Sequence, residues 1–282
     1  MLGVSDPLAS KAVLDRHNTR VRGSGKVPIL FAHGYGCDQS MWRWVMPAFE
    51  DHFRTVAFDY VGCGGSAAPY DAGRYASLSG YADDLLDVCR ALGDAPVVLV
   101  GHSVSAMIGV LAAAREPGRF SRLVMIGPSP RYISDGDYVG GFSPSDIQSL
   151  LDLMEADHQG WAASLASTVL GNPDRPELVA ELEASFCRMD PAIARQFART
   201  TFLSDNRADL DAVSVPVLVL QCSDDVIAPV DVGRYVDRRL RDSRFVQLNA
   251  VGHCPHISAP EELVAAIRPF LADLVEADRA DS

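Results

Sequence analysis

The feature that most limits the fold of this chain is an alternation of short apolar runs with amphipathic stretches. The apolar runs are rich in β-branched residues, and they occupy residues 27–34, 55–60, 95–101 and 121–127. The stretches between them carry apolar residues three and four positions apart, as on one face of a helix, at 39–50, 77–92 and 104–116. Buried parallel strands connected by helices produce this pattern. The sequence therefore predicts an α/β chain with a mostly parallel, doubly wound sheet.

The alternation breaks after Pro130. From about residue 143 to residue 204 every segment has a helical pattern, and no strand-like run interrupts it. Ser143 followed by Pro144 is typical of a helix start, because serine caps the first turn and proline fits its first position. This part of the chain is predicted to be a helical insertion.

The strand pattern resumes at residues 215–222 and 244–248, and a final helix is predicted at 260–275. We therefore expect a core built from residues 1–131 and 206–282, and a helical cap, or lid, at 132–205. Parallel sheets bind ligands beyond the carboxyl ends of their strands. An insertion at that edge is predicted to cover the binding site.

Charge and composition limit the partners that this chain can have. Its 25 basic and 37 acidic residues give a net charge of −12, which opposes binding to nucleic acid or to anionic lipid. The first residues have neither the basic cluster nor the apolar core of a secretion signal, and no apolar run reaches the length of a membrane span. We expect a cytoplasmic protein with neither nucleic acid nor membrane as a partner.

The segment G-H-S-V-S places Ser103 where a strand-like run meets a helical one. Such a tight turn strains its central residue and lifts that side chain clear of the sheet, so small residues are needed two positions away on either side. Gly101 and Ser105 meet this requirement, although glycine is usual where Ser105 stands. The pattern predicts that Ser103 is a nucleophile.

A serine nucleophile needs a base and an acid, and in this kind of fold both follow it in the chain. The strand at 215–222 is followed by Asp224 and Asp225, and the next strand is followed by His253 and His256. We favour Asp225, which stands four residues before Pro229, and His253, which is nearer to its strand end. Asp224 and His256 remain the alternatives.

The negatively charged oxygen formed during the attack needs two N–H donors. The backbone of Val104, directly after the nucleophile, is predicted to supply one, and that of Tyr35, in the H-G-Y-G turn, the other. His33 in the same turn is expected to have a structural role. Aromatic cap residues are candidates to contact the substrate, although packing between helices explains each of them equally well: Tyr132, Phe142, Trp161, Phe186 and Phe202.

These motifs resemble the α/β-hydrolase superfamily, and more narrowly the RsbQ-like regulators of the bacterial energy-stress response. The plant karrikin and strigolactone receptors are also similar. The resemblance covers nearly the whole chain, and its main carriers are H-G-Y-G-C-D-Q-S-M-W (33–42), F-D-Y-V-G-C-G-G-S (58–66), V-G-H-S-V-S-A-M-I-G (100–109), N-P-D-R-P-E-L (172–178) and G-H-C-P-H-I-S (252–258).

The resemblance implies a catalytic triad of Ser103, Asp225 and His253. It also implies a four-helix cap over a closed apolar pocket, with no metal and no cofactor. The expected ligand is a small hydrophobic ester or lactone, and the expected partner is a regulatory phosphatase with a PAS domain. The function predicted is that of a serine hydrolase in stress signalling. A ligand sensor with slow or vestigial hydrolysis, and a plain metabolic esterase, are the alternatives.

Overall fold

A computed structural model describes residues 7–280, in which seven strands form one sheet with the order β1-β3-β2-β4-β5-β6-β7. Strand β1 is antiparallel to β3, and every other pairing is parallel. This confirms the predicted α/β class with a mostly parallel sheet. The strands are β1 (Arg20–Arg22), β2 (Pro28–Ala32), β3 (Arg54–Ala57), β4 (Val97–His102), β5 (Phe120–Ile126), β6 (Val217–Asp224) and β7 (Ser243–Val251).

Helices cover both faces of the sheet, and side chains alternate between the two faces along each strand. In β2, Leu30 packs into the larger apolar cluster, while Ile29 and Phe31 pack into the smaller one on the opposite face. The α-helices are α1 (Pro7–Arg16), α2 (Leu78–Ala91), α3 (Val104–Arg115), α4 (Pro144–Ala156), α5 (His158–Leu170), α6 (Pro176–Arg188), α7 (Pro191–Phe202), α8 (Val230–Arg239), α9 (Pro255–Ser258) and α10 (Pro260–Ala280). Among the described residues, none of these helices is long and apolar enough to cross a membrane.

The segment 39–50 differs from its helical prediction. It forms two short 3₁₀ helices, Gln39–Trp42 and Met46–Phe49, rather than one α-helix. The proline at 47 has no N–H to donate to a carbonyl four residues earlier, so a continuous α-helix is interrupted there. The apolar spacing was nevertheless informative, because Trp42 and Phe49 are buried against the sheet.

The helices α4 to α7 lie together in the chain between β5 and β6, and they are the helices of the proposed cap. The helix starts follow from the sequence: Ser143 and Asp146 form a reciprocal capping box at α4, and Asp190 accepts hydrogen bonds from the first turn of α7. The backbone N–H of Asn206 donates to the Pro130 carbonyl oxygen (2.7 Å), so the segment leaves and rejoins the core at neighbouring points. We keep 132–205 as the proposed extent of the cap.

Candidate active site

Ser103 occupies the turn between β4 and α3, and its backbone is strained. Its φ of 57° and ψ of −123° are rare for a residue with a side chain, and such a conformation costs about 1–3 kcal/mol. The Ser103 N–H donates to the Ile126 carbonyl oxygen (2.8 Å), which ties the turn to the neighbouring strand. A Cβ on Gly101 would lie 2.8 Å from the Ser105 carbonyl oxygen, so glycine is required for strand and helix to approach.

Ser105 stands where glycine is usual, and hydrogen bonds accommodate its side chain. The hydroxyl is completely buried, lies 3.1 Å from the Tyr60 hydroxyl oxygen and donates to the His33 carbonyl oxygen. His33 is held by two further bonds, since its Nε2 accepts the Tyr60 N–H (3.2 Å) and its Nδ1 lies 2.9 Å from the Gly34 carbonyl oxygen. Both side chains therefore brace the turns around Ser103.

A chain of hydrogen bonds joins Ser103, His253 and Asp225. The Ser103 Oγ lies 2.8 Å from His253 Nε2, and His253 Nδ1 lies 2.7 Å from Asp225 Oδ2. All three residues are buried. With the Nδ1 proton directed at the carboxylate, Nε2 presents its lone pair to the serine hydroxyl. This arrangement can remove the proton from Ser103 as its oxygen attacks an electrophile.

Of the two candidate acids, the structure brings Asp225 to the histidine and leaves Asp224 exposed. The other oxygen of Asp225 accepts the backbone N–H groups of Ile227 (2.9 Å) and Ala228 (3.0 Å). These two bonds fix the Asp225 carboxylate in position with its Oδ2 facing His253.

Two residues that support the His253–Asp225 pair were not identified from the sequence. Gln221, fully buried in β6, donates from Nε2 to Asp225 Oδ2 (3.1 Å) and to the Ala228 carbonyl oxygen. A Cβ on Gly127, at the end of β5, would lie 2.9 Å from the His253 ring, so glycine makes room for that ring. The available signal for Gln221 was a single amide in the apolar run V-L-V-L-Q-C.

His256 does not reach Ser103. Its ring packs against Trp42 and His102, with centroid separations of 4.9 Å and 4.3 Å. Burial lowers the pKa of His256 to about 3, so this ring is neutral at physiological pH. The structure therefore selects His253 over His256 as the partner of the serine.

Within the described residues, His102, Cys254 and His256 form a buried group whose potential metal-ligating atoms all lie within 4.8 Å of one another. His102 Nε2 lies 2.8 Å from the His253 carbonyl oxygen, and this bond orients the His102 ring. We interpret the group as packing beneath the site.

The two predicted N–H donors are close to Ser103. Val104 is the first residue of α3, and the first N–H groups of a helix have no partner within that helix. Tyr35 directly follows Gly34, on which a Cβ would lie only 3.3 Å from the Ser103 Cβ. The H-G-Y-G turn thus lies against the nucleophile candidate, as an oxyanion site requires.

A small cavity lined by buried residues adjoins Ser103 and His253, beneath the helices of the proposed cap. The space that the centre of a water molecule can reach is about 30 Å³. Apart from Ser103, His102 and His253, the cavity is lined by Tyr35, Cys37, Tyr132, Leu165, Val169, Leu182, Phe186, Thr201, Phe202, Ile227 and Cys254. A wider groove of about 850 Å³ lies between α2 and α7, but Ser103, His253 and Asp225 are absent from its lining. The smaller cavity is therefore the candidate binding site.

The cavity lining includes some of the predicted substrate contacts and leaves out others. Tyr132 and Phe202 line it, as does Phe186, whereas Phe142 and Trp161 do not. Trp161 is buried between helices, with ring centroids 6.0 Å from Tyr35 and 5.8 Å from Phe186. The Phe142 N–H donates to the Tyr132 carbonyl oxygen (3.1 Å), and the partly buried Phe142 side chain packs against the larger apolar cluster. In the structure both aromatic rings pack in or against the larger apolar cluster, and their contact with a substrate stays a prediction.

The cavity thiols are poor competitors of Ser103 as nucleophiles. Burial raises the pKa of the Cys37 thiol to about 12, and it raises the pKa of the Cys254 thiol well above its ordinary value. Because the thiolate is the reactive form of cysteine, both groups are unreactive at neutral pH. They contribute apolar surface to the cavity.

A parallel sheet that carries a serine on a strained strand-to-helix turn, with acid and histidine after the last two strands, defines the α/β-hydrolase fold. Residues 29–266 match the "Alpha/beta hydrolase family". The chain belongs to this family.

Its similar relatives include plant receptors and esterases. A strigolactone esterase from Arabidopsis thaliana is 40% identical over 92% of this chain and 97% of its own length. A karrikin insensitive 2 receptor from Petunia hybrida is 35% identical over 90% of this chain and 95% of its own length. A solved hydrolase from Oleispira antarctica is 38% identical, with a TM-score of 0.90 over 95% of this chain and 97% of that one.

Proposed function

We propose that this protein is a serine hydrolase that cleaves a small hydrophobic ester or lactone. The observation that carries this proposal is the hydrogen-bond chain from Asp225 through His253 to Ser103, at 2.7 Å and 2.8 Å. The apolar walls of the adjoining cavity support an apolar substrate. The relatives named as strigolactone esterases support an ester or lactone as its reacting group.

In the proposed reaction, Ser103 Oγ attacks the carbonyl carbon while its proton passes to His253 Nε2. The carbonyl oxygen becomes negatively charged and accepts hydrogen bonds from the N–H groups of Tyr35 and Val104. As the C–O bond of the ester breaks, His253 returns the proton to the leaving alkoxide. Asp225 stabilises the positive histidine throughout, without taking its proton.

An acyl group then remains on Ser103. A water molecule gives its proton to His253 as it attacks this acyl group, and the Ser103 oxygen leaves and is reprotonated. An ester thus yields an acid and an alcohol. A lactone yields a single hydroxy acid, because its two halves stay joined.

Signalling is the role that we propose for this chemistry, with the cap conveying occupancy of the cavity to a partner protein. The relatives named as karrikin receptors support a sensing role. The RsbQ-like motifs support a cytoplasmic place in a bacterial stress response, with a PAS-domain phosphatase as the partner. A ligand site of ordinary size occupies about 300–1,000 Å³, so the cavity of about 30 Å³ must expand when a ligand enters.

Turnover of a small aryl ester, such as p-nitrophenyl acetate, tests the proposal. We expect a burst of about one nitrophenol per chain, with the acyl group found on the peptide that contains Ser103 by mass spectrometry. A subsequent steady rate below about 1 s⁻¹ would favour the sensor, whereas tens per second or more would favour a metabolic esterase. Acylation of another residue would contradict the proposal.

Two phenylalanine substitutions test the cavity as the acyl site. We expect Phe202→Ala to raise the kcat/KM ratio of butanoyl over acetyl esters by about tenfold or more, because each methylene in an apolar pocket is worth roughly 10- to 200-fold. Phe142→Ala is the matched control and should leave the ratio unchanged, since Phe142 does not line the cavity. The ratio is independent of the folded fraction. A larger shift in Phe142→Ala than in Phe202→Ala would place the acyl site elsewhere.

A further inference from the structure

The turn that supplies the proposed oxyanion donor is fastened to two cap helices by buried hydrogen bonds. The Tyr35 hydroxyl donates to the Ala194 carbonyl oxygen of α7 (3.0 Å). The Ser185 hydroxyl of α6 donates to the Gly36 carbonyl oxygen (2.8 Å). Ser185 is 2% exposed and Tyr35 is 9% exposed, so water competes little for either bond. Two consecutive residues of one turn are thus held by two different helices of the proposed cap.

Close packing reinforces this connection, and one ion pair accompanies it. Gly36 has a φ of 72°, and a Cβ on it would lie 2.2 Å from the Phe186 ring, so α6 contacts the turn directly. Next to it, the Asp38 carboxylate pairs with the Arg188 guanidinium of α6 (2.8 Å). This pair is partly exposed and contributes little, since surface ion pairs are worth about 0–1 kcal/mol. The two buried hydroxyl hydrogen bonds are therefore the polar contacts that hold this turn to α6 and α7.

We propose that the hydroxyl groups of Tyr35 and Ser185 are positioning groups, which align the oxyanion turn only while the cap is seated. This inference rests on the proposed hydrolase function. The Tyr35 N–H must point at the developing oxyanion within a few tenths of an ångström, and a looser turn loses that stabilisation. When α6 and α7 move away to admit a ligand, both bonds break and the donor is no longer fixed. Reaction at Ser103 is thereby restricted to the closed cap.

The hydroxyl groups can be removed with little change in shape by Tyr35→Phe and Ser185→Ala. We expect each variant to lose roughly tenfold in kcat, which corresponds to one hydrogen bond, with KM changed less than about twofold. The rate at which a fluorophosphonate labels Ser103 should fall in parallel, because that reaction also develops charge at the oxyanion position. Ser185→Thr keeps a hydroxyl and should restore most of the rate.

Tyr235→Phe on α8 and Ser164→Ala on the exposed face of α5 are the matched controls, and both should react at the wild-type rate. Hydrogen exchange gives a second readout that needs no turnover: the peptide covering residues 33–38 should exchange faster in both test variants, while α2 and α3 do not change. Wild-type kcat with unchanged exchange would overturn the inference. Turnover retained by Ser103→Ala would refute the proposed function instead, and the exchange result would then decide the inference alone.

Discussion

Ser103→Ala is expected to reduce ester turnover by roughly 10⁴- to 10⁶-fold, and to abolish labelling by a fluorophosphonate. Alanine has no oxygen to attack the carbonyl carbon, so the acyl intermediate cannot form. The substitution keeps the Cβ and removes one hydroxyl, and the N–H bond from residue 103 to the Ile126 carbonyl oxygen is retained. We therefore expect a folded protein that still binds its ligand, as measured by thermal shift.

Ser164→Ala is the control for this experiment, because Ser164 lies exposed on α5 and away from the cavity. It should retain wild-type turnover and labelling. Circular dichroism melts of both variants establish that equal amounts of folded protein are compared. Turnover by Ser103→Ala above one hundredth of the wild-type rate would mean that another group performs the attack.

Asp225→Asn is expected to reduce kcat by about 10⁴-fold, and Asp224→Asn to leave it within about twofold of wild type. The two residues are adjacent in sequence, yet only Asp225 is buried against His253. An amide at 225 no longer stabilises a protonated histidine, and its NH₂ group favours the tautomer that cannot accept the serine proton. The comparison separates an electrostatic role from any general effect of the substitution.

Steady-state kinetics with the aryl ester, at equal concentrations of folded protein, measure the two variants. Asp225 also accepts the N–H groups of Ile227 and Ala228, so a melting curve of Asp225→Asn shows how much stability the loop loses. A deficit that is larger in Asp224→Asn than in Asp225→Asn would show that the acid has been assigned wrongly.

The sequence predicted those parts of the molecule that depend on local patterns. Buried strands have continuous apolar runs, and a strained serine between two small residues has a short signature, so β4 and the Ser103 turn were identifiable. By contrast, α1 has no buried residue and β1 is exposed at all three positions, so neither produces an apolar pattern. Both were missed for this reason.

Residues whose partners are distant in sequence were harder to predict. Gln221 supports Asp225, and Tyr35 bonds to a carbonyl more than 150 residues away, at Ala194. For the aromatic cap residues, the sequence was compatible both with contact to a substrate and with packing between helices. The outcome depended on how α5, α6 and α7 pack, which placed Phe202 at the cavity and Trp161 between helices. Whether an aromatic side chain lines the cavity or packs between helices thus depends on tertiary structure, which local sequence patterns do not reveal.

The buried lining of the cavity beside Ser103 has a consequence for how long a response lasts. In the proposed reaction the products form among buried residues, so the helices of the proposed cap must move again before the products leave. We therefore expect product release, rather than bond cleavage, to determine how long the product-bound form of the protein persists. The proposed signal would then last longer than the ligand molecule that caused it.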